Sequence, residues 1–311
     1  MEESIDMTPR ISVILPALLG YDSVHAALDS WEAQTCRDQL EILVLCPEAS
    51  RVSLPRGQTI VETGALHLHE ARAAGIRRAS AEYVLLAEDH CIPDHDCVEA
   101  LLRRVDEGWD VVSPALRPGE LGLIAQGSFI ISYSEWMLPE PRKASHVPGH
   151  NVVMRKQPLL DMGDQLEREL ISAMFLMRRL QKAGARFFVD DRARMRHFDV
   201  TELNRTMAIF FAVGQGCGAT RLRERSKLTR ALYGFMIPLI AARHFVRGTK
   251  EYARAGRRAG FSPMCVVAGG FFACVWAIGE SVGAWRGVES VTPNLWIGEI
   301  KPVSREQAAS A

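Results

Sequence analysis

None of the seven cysteines (36, 46, 91, 97, 217, 265 and 274) falls in a Cys-x-x-Cys pair or in a zinc-ligand spacing. A structural zinc module is therefore excluded, and an odd, scattered set with several members in apolar runs reads as reduced thiols of a cytosolic setting. The first ten residues, MEESIDMTPR, are acidic and polar and lack the apolar core of a secretory signal. There is no internal repeat and no low-complexity tract beyond a short Ala/Ser-rich end, so solenoids and prion-like segments are excluded. Net charge is also missing, with 37 Lys+Arg against 37 Asp+Glu. What is present is ordinary for a folded chain: 311 residues, 48% hydrophobic and 24% charged. This is enough for two domains, or for one large domain with an appendage.

The zero charge is a cancellation. Residues 1–220 hold 23 basic and 31 acidic side chains, whereas residues 221–258 hold 11 basic and 2 acidic ones. Ile11-Ser-Val-Ile-Leu15 ahead of Pro16 reads as a buried strand, as do Leu40–Leu45 and Tyr83–Ala87. Helical spacing separates them: Val24, Leu28 and Trp31 share one face, and a second helix is predicted over 65–79. Cys97–Glu107 reads as helix and Asp110–Ser113 as strand. Strands alternating with helices predict an α/β fold around a mostly parallel sheet. Such sheets bind ligands beyond the carboxyl ends of their strands. That rule singles out Pro16-Ala17, Cys46–Glu48 and Glu88-Asp89-His90. Two carboxylates and an imidazole in one turn suit a hard divalent cation, although an acidic turn after a strand is commonplace. Farther on, Leu166, Leu170, Met174, Met177 and Leu180 predict a continuous helix over Leu159–Gly184.

From here the order of motifs resembles glycosyltransferase family 2, inverting enzymes of the GT-A fold. The strand into Pro16-Ala17, the helix closing at Ala33-Gln34-Thr35 and the Leu40–Leu45 strand follow the family's opening. Ala71-Arg72-Ala73-Ala74-Gly75 is similar to its Ala-Arg-Asn-x-Gly segment, and Glu88-Asp89-His90 stands at its Asp-x-Asp metal motif. Gly149–Arg155 resembles the acceptor-side strand, and Leu180–Gly184 through His197 resembles the late helix, strand and terminal histidine. The resemblance implies a GT-A domain over 8–200, with 201–311 as a helical appendage. It implies a nucleotide-diphosphate-sugar donor contacted by Pro16, Ala17, Glu48, Arg72, Glu88 and Asp89. It also implies Mg²⁺ or Mn²⁺ held by Glu88, Asp89, His90 and His197, and phosphate or acceptor contacts from His150, Asn151 and Arg196, with Arg192 and Arg194 as further phosphate clamps.

The departures are specific. The metal motif ends in a histidine, Glu48 follows the second strand where the family reads uracil with an aspartate, and Ala73 replaces the asparagine. Counting back from Gly184 puts Ser172-Ala173 where the family has its Glu-Asp base pair. Glu169 and Glu167, one turn earlier, are then the candidate bases, because a one-turn shift on a continuous helix keeps nearly the same face. Asp164 is a weaker candidate. Two alternatives stay open: an inactive nucleotide-sugar-binding or scaffold relative, and a nucleotidyltransferase. The latter is opposed by Ala17-Leu-Leu-Gly20, which has no basic residue for a phosphate loop.

The basic segment flanks the apolar stretch Leu232–Ala242, and Phe261–Gly279 is 19 residues without a charge. No nucleic-acid-binding motif accompanies it. Cations beside apolar helices suit anionic lipid on a cytoplasmic leaflet. Peripheral attachment to the cytoplasmic face of the cell membrane is therefore expected, with a lipid-linked or cell-envelope acceptor. A span, a re-entrant hairpin and a buried helix remain alternatives.

Overall fold

The computed structural model describes residues 8–48, 54, 57–64, 67–137, 141–144, 146–287 and 303–310. Positions 65 and 66 of the helix expected over 65–79 lie outside them. The chain divides into two compact units. The first comprises Met1–Ala115, Glu140–Met195 and Pro302–Ser310, and the second Leu116–Pro139, Arg196–Lys301 and Ala311.

The first unit begins with β1 (Ile11–Pro16), α1 (His25–Glu32), β2 (Leu40–Cys46) and β3 (Gln58–Glu62). It continues through α2 (Leu68–Arg78), β4 (Tyr83–Leu86), β5 (Cys91–Pro93), α3 (Cys97–Asp106) and β6 (Val111–Pro118). Next in the chain come α4 (Leu123–Ser132), β7 (Arg142–Ala144), β8 (Val153–Arg155), α5 (Gln157–Leu160), α6 (Leu166–Leu170), α7 (Ala173–Lys182) and β9 (Phe187–His197). The strand order is β3-β2-β1-β4-β8-β6-β9-β5, with β7 paired to β9. β1 runs parallel to both β2 and β4, with Ile11 opposite Leu40 and Tyr83, and β3 extends the parallel side. β8 enters antiparallel between β4 and β6. The expected α/β class, a central sheet followed by C-terminal helices, is the one the chain adopts.

Every residue of β1 is buried, which is why that strand carries no alternation and reads as a continuous apolar run. Val24, Leu28 and Trp31 are buried on one side of the first helical segment, as their spacing predicts. Gly75 is required by packing: a Cβ there would lie 2.8 Å from Ile14 Cγ2 and 3.0 Å from Leu45 Cδ2. Its lack of a side chain lets α2 approach β1 and β2 closely.

The continuous helix expected over Leu159–Gly184 is not formed. It is broken into α5, a short 3₁₀ turn, α6 and α7. Gly163 takes a left-handed φ of 56°, and Ser172 is extended at φ −138°, ψ 127°. Each ends the run of i to i−4 hydrogen bonds despite the periodic leucines. A one-turn shift therefore does not carry Glu169 or Glu167, which lie on α6, onto the face of α7.

The second unit contains α4 and, after β9, α8 (Leu203–Arg221), α9 (Lys227–Gly234), α10 (Ile237–Glu251) and α11 (Met264–Arg286). A last short helix, α12 (Arg305–Ser310), returns to the first unit, where Arg305 pairs with Asp29. The apolar stretch 232–242 is divided at Phe235-Met236, with Pro238 in the first turn of α10, where a missing N–H costs nothing. α8 and α11 cross in close contact: Gly214 and Gly218 face the Trp276 and Glu280 carbonyls, and Gly279 and Gly283 face those of Phe211 and Gln215. α11 is long and apolar enough to cross a membrane by length and composition, and 44% of its apolar window is buried.

Candidate active site

The turn after β4 builds the site. Cys91 N–H donates to the Glu88 carbonyl at 3.4 Å, so residues 88 and 91 sit at the two ends of a tight turn and their side chains converge. Cys91 Sγ lies 3.4 Å from Glu88 Oε2. Between them, His90 Nδ1 lies 2.7 Å from Asp89 Oδ1. Asp89 fixes the ring from its Nδ1 side, and the other ring nitrogen, Nε2, is turned toward Glu88, 3.8 Å from Oε2. Glu88, Asp89 and His90 are each no more than 7% exposed, and Cys91 is fully buried.

A second segment closes on the turn. Asn151 N–H donates to the Leu86 carbonyl at 2.6 Å, pinning residues 150 and 151 against the end of β4. Asn151 has φ 56°, the left-handed region that few non-glycine residues occupy. Its Nδ2 donates to Glu88 Oε2 at 2.7 Å and to Cys91 Sγ at 3.0 Å. His150 Nδ1 lies 3.0 Å from the same Glu88 oxygen. Glu88 is thus the hub of the cluster, and strain at Asn151 is maintained where it serves that hub.

The donor set fits a metal ion. One carboxylate oxygen, one imidazole nitrogen and one sulfur, from Glu88, His90 and Cys91, lie within 4.8 Å of one another. All are buried, and the imidazole is already oriented from behind. Asp89, counted as a ligand in the sequence, is engaged with His90 instead. Cys91 was missed; the available signal was its place directly after Glu-Asp-His.

The remaining candidates are spread more widely. Pro16 ends β1 and Ala17 N–H bonds the Leu45 carbonyl at 2.9 Å, both at the carboxyl edge of the parallel strands. Arg72 is buried on α2 with Nη2 3.4 Å from the Ala87 carbonyl, one residue before Glu88. Glu48 is exposed beyond β2. Glu167 is bound to Arg77 at 2.6 Å, and the hydrogen bond from that guanidinium holds its carboxyl below the usual carboxylate range. Glu169 is buried, 3.3 Å from Arg179 on α7. Asp164 is exposed in the 3₁₀ turn. Arg192 is exposed on β9 and Arg194 half-buried, its Nε donating to the Asp191 carbonyl at 2.7 Å.

Arg196 and His197 belong to the second unit. His197 is buried there, with Nδ1 3.4 Å from Asp199 Oδ2 and its ring 4.2 Å from that of Tyr133. Ser128 donates to the other Asp199 oxygen at 2.9 Å.

A comparison with family models places the cluster. Residues 48–163 match Glycosyl transferase family 2. The matched stretch contains Glu48, Arg72, Glu88, Asp89, His90, His150 and Asn151. Pro16, Ala17, Glu167, Glu169, Arg196 and His197 lie outside it. The match supports a glycosyltransferase. Among solved structures, S. aureus TarS is similar at 16% identity and TM-score 0.47, covering 70% of this chain and 40% of that one. GalNAc-T7 with UDP, GalNAc and Mn²⁺ is similar at 11% identity and TM-score 0.45, covering 62% and 44%. The chain thus spans less than half the length of either. The comparison with curated proteins gives no match.

Proposed function

We propose that the chain is an inverting glycosyltransferase of the GT-A type. It moves a sugar, of hexosyl type, from a nucleotide-diphosphate donor to a lipid-linked or cell-envelope glycan at the cytoplasmic face of a membrane. The observation that carries the reading is the buried Glu88–Asp89–His90 turn, at the carboxyl end of a parallel strand and inside the family match. Glu88 and His90 would hold a divalent cation, with Asp89 fixing the imidazole of His90. His197 joins the ligand set by the sequence resemblance. The cation, Mg²⁺ or Mn²⁺ by that resemblance, supplies neutralisation of charge on the departing diphosphate.

The protein's own groups do the rest. Arg72 and Arg196 are assigned to donor oxygens, and His150 and Asn151 to the acceptor side of the Glu88 carboxylate. As the acceptor oxygen bonds to the anomeric carbon, the bond to the diphosphate oxygen breaks on the opposite face and the configuration inverts. The acceptor proton passes to a carboxylate. We assign Glu169, whose contact with Arg179 is the longer at 3.3 Å, since Glu167 is held by Arg77 at 2.6 Å and its lowered pKa makes it the weaker base.

Membrane attachment is supported by the surface of the second unit. Met264, Val267, Phe271, Ile278 and Trp285 repeat at helical spacing along α11 and are all exposed. Exposed Leu239, Phe245 and Val246 on α10 add to them, and Arg243, Lys250, Arg257 and Arg258 are exposed cations in the same unit. An exposed apolar patch with cations beside it suits an anionic bilayer surface.

The testing experiment is nucleotide-sugar turnover by wild type, Asp89→Ala and Glu169→Gln, with donor binding measured in parallel. Both substitutions should abolish turnover with the sheet still folded. Unchanged turnover in Asp89→Ala refutes the site. Ser172-Ala173 in place of the family's carboxylates favours a second reading, a donor-binding protein without turnover; donor bound but never cleaved by wild type would establish it.

A further inference from the structure

We infer that Cys91 is a metal ligand, and that the site therefore takes a borderline divalent cation such as Zn²⁺ or Co²⁺ in preference to Mg²⁺. The inference rests on the reading of the Glu88–His90 turn as the metal site, and it changes which atoms make that site. Cys91 Sγ is fully buried, 3.4 Å from Glu88 Oε2 and 3.0 Å from Asn151 Nδ2. It belongs to one compact group of ligand atoms with Glu88 and His90. Asp89 does not, because its carboxylate bonds the rear nitrogen of His90. The donors presented are thus oxygen, nitrogen and sulfur, where a pair of aspartates presents oxygen only.

Hard Mg²⁺ demands oxygen donors and near-octahedral geometry, whereas sulfur and imidazole draw zinc-like ions. Asn151 gives an independent indication. It is held at a left-handed φ with its amide bridging Glu88 and Cys91, and its Oδ1 is buried with no hydrogen-bond partner among the described residues. Such a residue fixes a carboxylate and a sulfur relative to each other, as residues behind metal ligands do. On binding, the metal–sulfur bond forms and the thiol proton passes to solvent.

The test uses the full chain and the metals alone. Co²⁺ titrated into wild type should give a near-ultraviolet sulfur-to-cobalt charge-transfer band. Cys91→Ser should lose the band and bind Zn²⁺ about tenfold or more weakly, with Mg²⁺ binding nearly unchanged. Equimolar Zn²⁺ should bleach the wild-type band, and a large excess of Mg²⁺ should not. X-ray absorption of the Zn²⁺-loaded wild type provides a readout independent of the variant's folding; one sulfur at about 2.3 Å is expected. A coordination shell of nitrogen and oxygen only, or a band that persists in Cys91→Ser, overturns the inference. Turnover with Mg²⁺ and no sulfur in the shell overturns it while leaving the proposed reaction standing. Sulfur ligation without turnover in any metal supports the inference and removes the reaction.

Discussion

Replacing Glu280 by glutamine removes a buried negative charge that side chains from three other helices of the second unit contact. Glu280 lies on α11 with its side chain fully buried. Its Oε1 accepts from Tyr233 Oη on α9 at 2.6 Å and from Arg221 on α8, and Oε2 is 3.4 Å from His244 Nε2 on α10. Burial alone would push the carboxyl up. The His244 hydrogen bond, the Arg221 charge and the Tyr233 hydroxyl outweigh it and hold the group at about 2, against an ordinary value of 4.5. At neutral pH that difference is worth about 3 kcal/mol. Glutamine keeps the shape and leaves no cavity, so the loss is electrostatic. Removing one member of a buried pair costs about 3–5 kcal/mol. Arg221 keeps 28% of its side chain exposed and can recover solvent, which places the expected loss near the lower end. Because the folded pKa is depressed, this stability is present above 4.5 and is lost as pH falls toward 2. Hydrogen exchange of α8 and α11 amides, with urea unfolding at pH 7 and at pH 3, reads both features. A loss below about 1 kcal/mol at pH 7, or a difference between wild type and variant that does not shrink at pH 3, refutes the reasoning.

The other expectations concern packing, chemistry and the surface. Gly283→Ala places a Cβ onto the Gln215 carbonyl and should lower stability by about 1–3 kcal/mol in thermal denaturation, since backbone cannot yield as a side-chain tip can. Asp89→Asn should leave the fold intact and weaken metal binding about 10–100-fold by freeing His90 to turn, read by calorimetry. Glu169→Gln should lower kcat about 10²–10⁴-fold at unchanged donor affinity; an equal loss in Glu167→Gln alone would move the base. Binding to vesicles of phosphatidylcholine with phosphatidylglycerol should be lost in Val267→Ser/Phe271→Ser and weakened by salt. Binding equal on purely zwitterionic vesicles would contradict the charge contribution.

The parallel strands were legible because burial on both faces leaves uninterrupted apolar runs, and Ile11–Leu15, Leu40–Leu45 and Tyr83–Ala87 are such runs. The first helix was legible through Trp31 and its neighbours at helical spacing. The three-residue strands β5 and β7 were not, because so short a run carries no periodicity and owes its conformation to the partner strand; β8 was legible only through the family-like Gly149–Arg155 segment. The break between α6 and α7 was invisible because leucine spacing continues across Ser172, whose backbone is nonetheless extended. Within the site, Glu88, Asp89 and His90 were readable as one string. Their division of labour was not, since it depends on which way each side chain turns: Asp89 goes to the back of His90, and Cys91 to the front beside Glu88. Asn151 could be read as a contact residue, but its bridge from Glu88 to Cys91 joins positions 60 and 63 residues apart.

The most direct test of the central claim is cleavage of a panel of labelled nucleotide sugars by wild type and Glu88→Gln, with each of Mg²⁺, Mn²⁺, Co²⁺ and Zn²⁺. Metal-dependent release of nucleoside diphosphate by wild type, absent in a folded Glu88→Gln, is the expected result. No release from any donor with any metal, or equal release by the variant, would contradict a glycosyltransferase centred on Glu88.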